Sequence, residues 1–151
     1  MLYVAYGSNM NLEQMQFRCG KSKLLGVGKL KGWRLVFNIH ADIIQTNNKN
    51  DIIPIVLWDI DDDDWKMLDI YEGYPNYYIK KKVDIEFKGK NKKAIVYVMN
   101  DDKKGIYPPY KEYFNTIKQG YIQHNINTLY LYQTLDYTFK NQTEYNQYST
   151  R

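Results

Sequence analysis

Met1-Leu2-Tyr3-Val4-Ala5-Tyr6-Gly7-Ser8-Asn9-Met10 opens the chain, and its reading decides the fold. Leu2 to Tyr6 is short, apolar and rich in β-formers, the pattern of a buried strand. The chain then breaks sharply at Gly7. Asn11 is placed as a helix N-cap with Gln14 three positions on, in the manner of a capping box. Leu12, Met15 and Cys19 make a helical apolar stripe, and Gly20 stands where a helix terminator belongs. A strand feeding a helix through Gly-Ser-Asn leaves backbone N–H groups pointing out of the turn. Such a turn holds a carboxylate, a phosphate or a developing oxyanion equally well. An isolated Gly-Ser-Asn is more often an ordinary turn, so the functional reading needs a chemical partner further along the chain.

Composition bounds the rest. A chain of 151 residues is expected to form one domain with a real core, and 44% hydrophobic with 16% aromatic residues argues against disorder. Sixteen tyrosines offer rings for a core and hydroxyls for a pocket wall. The net charge of +4 is too small to announce a nucleic-acid protein. One cysteine, Cys19, excludes an internal disulfide, and its place on an apolar stripe reads as a buried small hydrophobe. No apolar run reaches transmembrane length and no basic-then-apolar leader opens the chain, so a cytoplasmic protein with no membrane partner is expected.

Residues 21 to 58 read as strands and turns. Gly26, Gly28 and Gly32 suggest a dinucleotide fingerprint, but no helical pattern opens after them, which excludes it. Trp33 to Ile39 is a strand of aromatic and β-branched residues, 46 to 51 a polar loop, and Ile52 to Trp58 a strand whose Pro54 implies an edge or a bulge. His40 ends a strand and His124 a helix; neither has companions at ligand spacing, so both read as structural or solvated and no metal site is expected. Asp61 to Asp64 looks like an acidic cluster. It precedes Trp65, Leu68 and Tyr71 on one helical face, however, and acidic residues at a helix start cap it and complement its dipole, so it reads as a solvated helix start.

The other end of that helix is more informative. In Leu68-Asp69-Ile70-Tyr71-Glu72-Gly73-Tyr74-Pro75, Gly73 and Pro75 mark the stop, which puts Glu72 in the last turn. A carboxylate there meets the negative end of the dipole and is disfavoured by up to roughly 1 kcal/mol. A local rule broken at a helix end marks a candidate functional residue, and the same field raises the carboxyl pKa toward that of a proton shuttle.

These two stretches together resemble the γ-glutamylcyclotransferase-like family. Tyr6-Gly7-Ser8-Asn9-Met10 after an N-terminal strand is similar to its opening loop, although leucine is commoner at the Met10 position. Leu68-Asp69 with Tyr71-Glu72-Gly73-Tyr74-Pro75 is similar to its second motif. Pro108-Pro109 and then Tyr113, seven residues before Gly120, resemble its C-terminal helix. Tyr77 and Tyr78 both compete for one family tyrosine, and Tyr78, six after the glutamate, is the favoured match.

The resemblance covers about residues 1 to 135 and implies an α+β fold, a small mixed β-barrel with helices packed outside. It implies an enzyme with Glu72 as catalytic acid/base, and Tyr6, Gly7, Ser8, Asn9, Tyr78 and Tyr113 binding a small γ-glutamyl substrate. That substrate's α-amine attacks its own γ-carbonyl and releases 5-oxoproline. Being intramolecular, the reaction calls for no cofactor or metal. The alternatives are a member of the same fold that only binds a small acidic ligand, and a nucleic-acid-binding barrel using its lysines and tyrosines. No nucleic-acid partner is expected, and a monomer or homodimer is.

The remaining chain reads as two strands, Tyr77 to Phe87 and Lys92 to Met99, joined by a hairpin at Lys88-Gly89-Lys90-Asn91. The lysines along them read as a solvated, pairing-resistant edge. Tyr110, Tyr113, Phe114, Ile117 and Tyr121 form an amphipathic helix face, and Thr128 is placed to cap a final helix carrying Leu129, Leu131, Tyr132 and Leu135. The domain is expected over 1 to 138, with 139 to 151 as a polar tail.

Overall fold

The computed structural model describes residues 1–143. The first strand, β1 (Leu2–Ala5), is buried along its length except at its first residue, because apolar side chains fill both of its faces. It lies between two partners. β5 (Ile52–Asp59) pairs with it antiparallel, from Leu2 opposite Asp59 to Ala5 opposite Val56, and β7 (Lys90–Met99) meets it in parallel at Tyr3 and Ile95. β2 (Lys23–Lys31) and β6 (Tyr78–Phe87) complete a closed barrel in the order β1-β5-β2-β6-β7. Closure leaves no free edge on these strands, so the lysines of β6 and β7 decorate a paired ladder rather than guard an edge. Lys88 and Gly89, both at positive φ, turn that hairpin, with Phe87 opposite Lys90. Pro54 pairs with Lys29 in the half of β5 that lies beyond β1, where its missing N–H costs nothing on the β1 side.

The remaining two strands, β3 (Trp33–Asn38) and β4 (His40–Gln45), form a separate antiparallel hairpin. Its anchor is Asp42, fully buried on β4. One carboxylate oxygen accepts the Met99 N–H of β7 at 2.9 Å, and the other meets the Lys104 ammonium at 2.8 Å.

Among the described residues, four α-helices pack around this frame. α1 (Leu12–Arg18) is capped by Asn11, whose side chain accepts the N–H groups of Glu13 and Gln14. Met15 and Cys19 are buried, but Leu12 is partly exposed, and the helix ends on the Cys19 N–H to Met15 carbonyl bond before Gly20 is reached. α2 (Asp62–Glu72) starts on the Asp61 side chain. Trp65 and Leu68 are buried, while Tyr71 is half exposed. Asp64 departs from the expected solvated start: it is buried and accepts the Lys21 N–H at 3.1 Å.

α2 stops where Gly73 enters the left-handed region at φ 67. The Tyr74 N–H then reaches the Asp69 carbonyl and the Gly73 N–H reaches that of Ile70, the double bond of a Schellman turn. α3 (Lys111–Gln123) buries Phe114, Ile117 and Tyr121 and leaves Tyr110 exposed. α4 (Leu129–Lys140) starts with Asn127, not Thr128, accepting the Leu129 N–H. The residues after it, 141–143, include Thr143, bonded to Ile106; 144–151, most of the expected tail, lie outside the described residues.

The Asp42 anchor generates a stability prediction. Asp42→Ala strands a ladder N–H and a lysine, and is expected to lower unfolding free energy by about 3 kcal/mol in urea titration. Asp42→Asn, which keeps the Met99 acceptor, should lose less. A change below about 0.5 kcal/mol for the alanine variant would show that the hairpin does not depend on this carboxylate.

Candidate active site

The end of β1, the end of α2 and the start of β4 converge on a cavity of about 230 Å³. Each wall grows out of local structure. β1 delivers the turn Gly7-Ser8-Asn9, which winds through one 3-10 turn (Ser8–Met10) into α1. Asn9 holds that turn from its side chain and its carbonyl. Its amide nitrogen donates to the Tyr3 hydroxyl at 2.9 Å, its side-chain oxygen accepts from Arg18, and its carbonyl accepts the Trp58 indole N–H at 3.1 Å. Met10 and Asn11 close the turn on the Gly7 and Ser8 carbonyls. Among the described residues, the N–H groups of Gly7, Ser8 and Asn9 donate to no protein acceptor. All three residues line the cavity.

Glu72 lines the same cavity from the last turn of α2. Burial raises its carboxyl from the ordinary 4.5 to about 7, and the nearby Arg18 guanidinium acts in the opposite sense. No protein donor is bonded to this carboxylate among the described residues, so no hydrogen bond offsets its desolvation and the Arg18 guanidinium alone opposes it.

The Ala41 peptide on β4 organises two phenols. Its N–H donates to the Tyr113 hydroxyl at 2.9 Å, and its carbonyl accepts from the Tyr78 hydroxyl at 2.6 Å. Tyr113 therefore keeps its own proton unspent among the described residues, whereas Tyr78 has spent its proton on the frame. Tyr6 likewise donates to the Tyr97 carbonyl at 2.7 Å. Burial pushes the hydroxyls of Tyr6, Tyr78 and Tyr113 well up, so each stays a neutral phenol at neutral pH.

The seven residues singled out from the sequence, Tyr6, Gly7, Ser8, Asn9, Glu72, Tyr78 and Tyr113, thus line one cavity. Sequence reasoning missed Tyr3, His40, Ala41, Tyr71 and Tyr97, which line it too. His40, expected to be structural or solvated, sits with Nδ1 3.2 Å from the Tyr77 hydroxyl and its ring edge-on to Tyr113, and burial lowers its pKa. Tyr77 and Tyr78, the two competitors for one role, both reach the cavity. Among the described residues, no three His, Cys, Asp or Glu side chains are grouped to hold a metal ion, and no helix is long and apolar enough to cross a membrane.

The site can hold an anion on three open N–H groups, move a proton near neutral pH, and offer a phenol proton. Comparisons with known proteins bear on what such a site serves. The family model described as gamma-glutamyl cyclotransferase, AIG2-like, matches residues 3–115. No curated protein matches the chain. A solved gamma-glutamyl cyclotransferase shares the fold at a TM-score of 0.73 and 22% identity, over 97% of this chain and 90% of the other. An uncharacterized protein from Homo sapiens does so at 0.70 and 23%, over 95% and 89%. YkqA from Bacillus subtilis matches at 0.75 and 20% identity, with 95% of this chain covering 56% of that longer one. At these identities the solved structures speak for the fold.

The Glu72 environment makes a prediction that needs no substrate. A carboxyl raised to about 7 in the folded chain from the ordinary 4.5 binds its proton more tightly folded than unfolded. Its stabilising share is therefore present at low pH and lost as pH rises from about 4.5 through 7, by up to roughly 3 kcal/mol. Glu72→Gln removes that loss. In paired melts the variant should gain on wild type between pH 5 and pH 8, and parallel Tm curves would show that Glu72 titrates as an ordinary surface acid.

Proposed function

The chain belongs to the gamma-glutamyl cyclotransferase, AIG2-like family, and on that premise we propose that it is a cyclotransferase releasing 5-oxoproline and a free amine from a γ-glutamyl compound. The observation that carries this reading is Glu72, at about 7, lining the same cavity as Gly7, Ser8 and Asn9 with their three open N–H groups.

The reaction makes three demands. The substrate's α-ammonium must lose a proton to become a nucleophile. Its nitrogen then attacks the γ-carbonyl carbon, and the tetrahedral oxyanion needs donors. Finally the bond from that carbon to the leaving amine breaks, and the amine must gain a proton. Glu72 takes the first proton and returns it to the leaving nitrogen, which suits a group whose pKa lies near the operating pH. The second proton, shed by the attacking nitrogen as the lactam forms, passes the same way to the freed amine. The open N–H groups hold either the substrate's α-carboxylate or the oxyanion. Tyr113 supplies a phenol proton to the bound substrate, and Tyr78 holds the wall through Ala41. Because nucleophile and electrophile belong to one molecule, much of the rate comes from holding the chain folded back on itself, and a closely fitting cavity does that.

Purified protein, without added metal or nucleotide, should release 5-oxoproline from some member of a panel of γ-glutamyl-amino acids, γ-glutamylamines and glutathione, scored by chromatography. The N-acetylated analogue and the α-linked isomer of the reactive compound should be inert, since one lacks the nucleophile and the other cannot close a five-membered ring on the γ-carbonyl. If nothing reacts while γ-glutamyl ligands still raise Tm, a ligand-binding role replaces the enzyme.

Glu72→Gln should lower turnover by roughly 10²–10⁴ with the fold kept, and the wild-type kcat/KM should rise with pH through about 7 as Glu72 ionises. Normal turnover in the Gln variant refutes the assignment. Gly7→Val should abolish ligand binding, because even a Cβ on Gly7 would stand 3.1 Å from the Ala41 Cβ and 3.5 Å from the Tyr113 hydroxyl. Ser8→Ala should do less, as the group it offers the ligand is its backbone N–H and its hydroxyl is taken up by Arg18. A Gly7→Val protein that binds normally would reduce the loop to a turn.

A further inference from the structure

Arg18 is the last residue of α1 and does not line the cavity, yet it touches both halves of the site. One guanidinium nitrogen donates to the Ser8 hydroxyl at 3.1 Å and to the Asn9 side-chain oxygen. Its central carbon lies 3.4 Å from the centre of the Tyr71 ring, one residue before Glu72. A planar cation lying on an aromatic face while one of its nitrogens donates to two oxygens joins the turn to α2 in a way that lysine's compact ammonium does not reproduce.

We propose that Arg18 is the positioning residue of this site: it clamps the Gly7-Ser8-Asn9 turn to the end of α2, so that the open N–H groups and the Glu72 carboxylate keep one spacing.

The clamp has an electrical side as well. Arg18 is the charged group that acts on Glu72, and it opposes the effect of burial. The other titratable groups around the cavity are neutral near pH 7. Burial raises Tyr3 on β1, Tyr78 on β6, Tyr97 on β7 and Tyr113 on α3, as it does Tyr77 before β6, and it lowers His40 on β4. Asp69 of α2 faces the Lys80 ammonium at 3.0 Å and accepts from the Tyr97 hydroxyl. Removing the guanidinium therefore leaves Glu72 with desolvation alone.

The inference rests on the cyclotransferase reading for its purpose but not for its test. Arg18→Gln removes the charge and the stacked plane; Arg18→Lys keeps the charge and loses the plane that lies on Tyr71. Wild type and both variants are labelled for NMR, and the Glu72 carboxyl is titrated while the backbone amides of Gly7, Ser8 and Asn9 are followed. Arg18→Gln is expected to raise the Glu72 midpoint by roughly half a unit to one unit, and Arg18→Lys to leave it near wild type. In both variants the three loop amides should shift or broaden, and 5-oxoproline should bind about tenfold more weakly by calorimetry. A role confined to stability would lower Tm and move neither the midpoint nor the amides.

An unmoved midpoint in Arg18→Gln, or loop amides unchanged in both variants, overturns the proposal. Should Arg18→Gln fail to fold, Arg18→Lys decides alone: disturbed loop amides with weakened binding sustain the clamp, and wild-type behaviour overturns it. If wild-type protein neither turns over the γ-glutamyl panel nor binds 5-oxoproline, the cyclotransferase reading fails, while the titration and the amides still judge Arg18.

Discussion

Everything at the cavity depends on a turn that stays rigid without spending its own N–H groups. Turns ordinarily gain rigidity by bonding those groups internally or to neighbours. Here the constraint is met from the other side of the peptide. Asn9 is held by Tyr3 from β1, Arg18 from α1 and Trp58 from β5, all through its side chain or carbonyl. These three come together only because the barrel places β1 beside β5 and α1 returns across the turn. The fold therefore supplies the bonds that the turn would otherwise take from its own donors, and leaves those donors unspent among the described residues.

Much of this was legible in the sequence because it rests on short-range rules. The strand before Gly7, the Asn11 cap, the Asp61 start of α2 and the Gly73 stop each follow from residues within one turn of the feature they set. Glu72 stood out for the same reason: only its distance from Gly73 was needed to place it in a disfavoured position. The family resemblance then joined stretches more than sixty positions apart that no local rule connects. Where a local rule failed, a long-range contact had overruled it. Asp64 reads as solvated until Lys21, forty-three positions earlier, supplies an N–H for it.

The β3–β4 hairpin shows the limit more sharply. Its turn is made at Ile39 with φ 64, a value that a β-branched residue rarely takes and that no turn signature announces. The Ile39 N–H bonds to the Tyr107 carbonyl and the Asn38 side chain to the Lys103 carbonyl, so the turn is imposed by chain sixty or more residues away. Sequence pattern alone continues the strand through Ile39 and loses the register of β4. His40 and Ala41, which build one wall of the cavity, were missed for that reason. Tyr3 and Tyr97 were missed for a different one: among sixteen tyrosines, spacing alone does not separate a cavity wall from a core.

That wealth of tyrosine makes sense of the protonation pattern. A cavity walled by neutral phenols is dry enough to raise a carboxyl, yet each phenol brings a hydroxyl that the frame can satisfy. Tyr6, Tyr78 and Tyr97 donate to the Tyr97 carbonyl, the Ala41 carbonyl and Asp69. Tyr3 and Tyr113 accept from Asn9 and Ala41. The same burial moves the groups apart: the phenols go up, the imidazole of His40 goes down, and Glu72 arrives near 7. Pairs of groups driven apart in this way are how one site separates acid from base at a single pH. A second carboxylate at the wall would have had to share a proton with Glu72 and would have blurred its midpoint. A lysine there would have pulled Glu72 back toward an ordinary acid. Tyrosine does neither, and Arg18, kept behind the wall, tempers the carboxyl without entering the cavity.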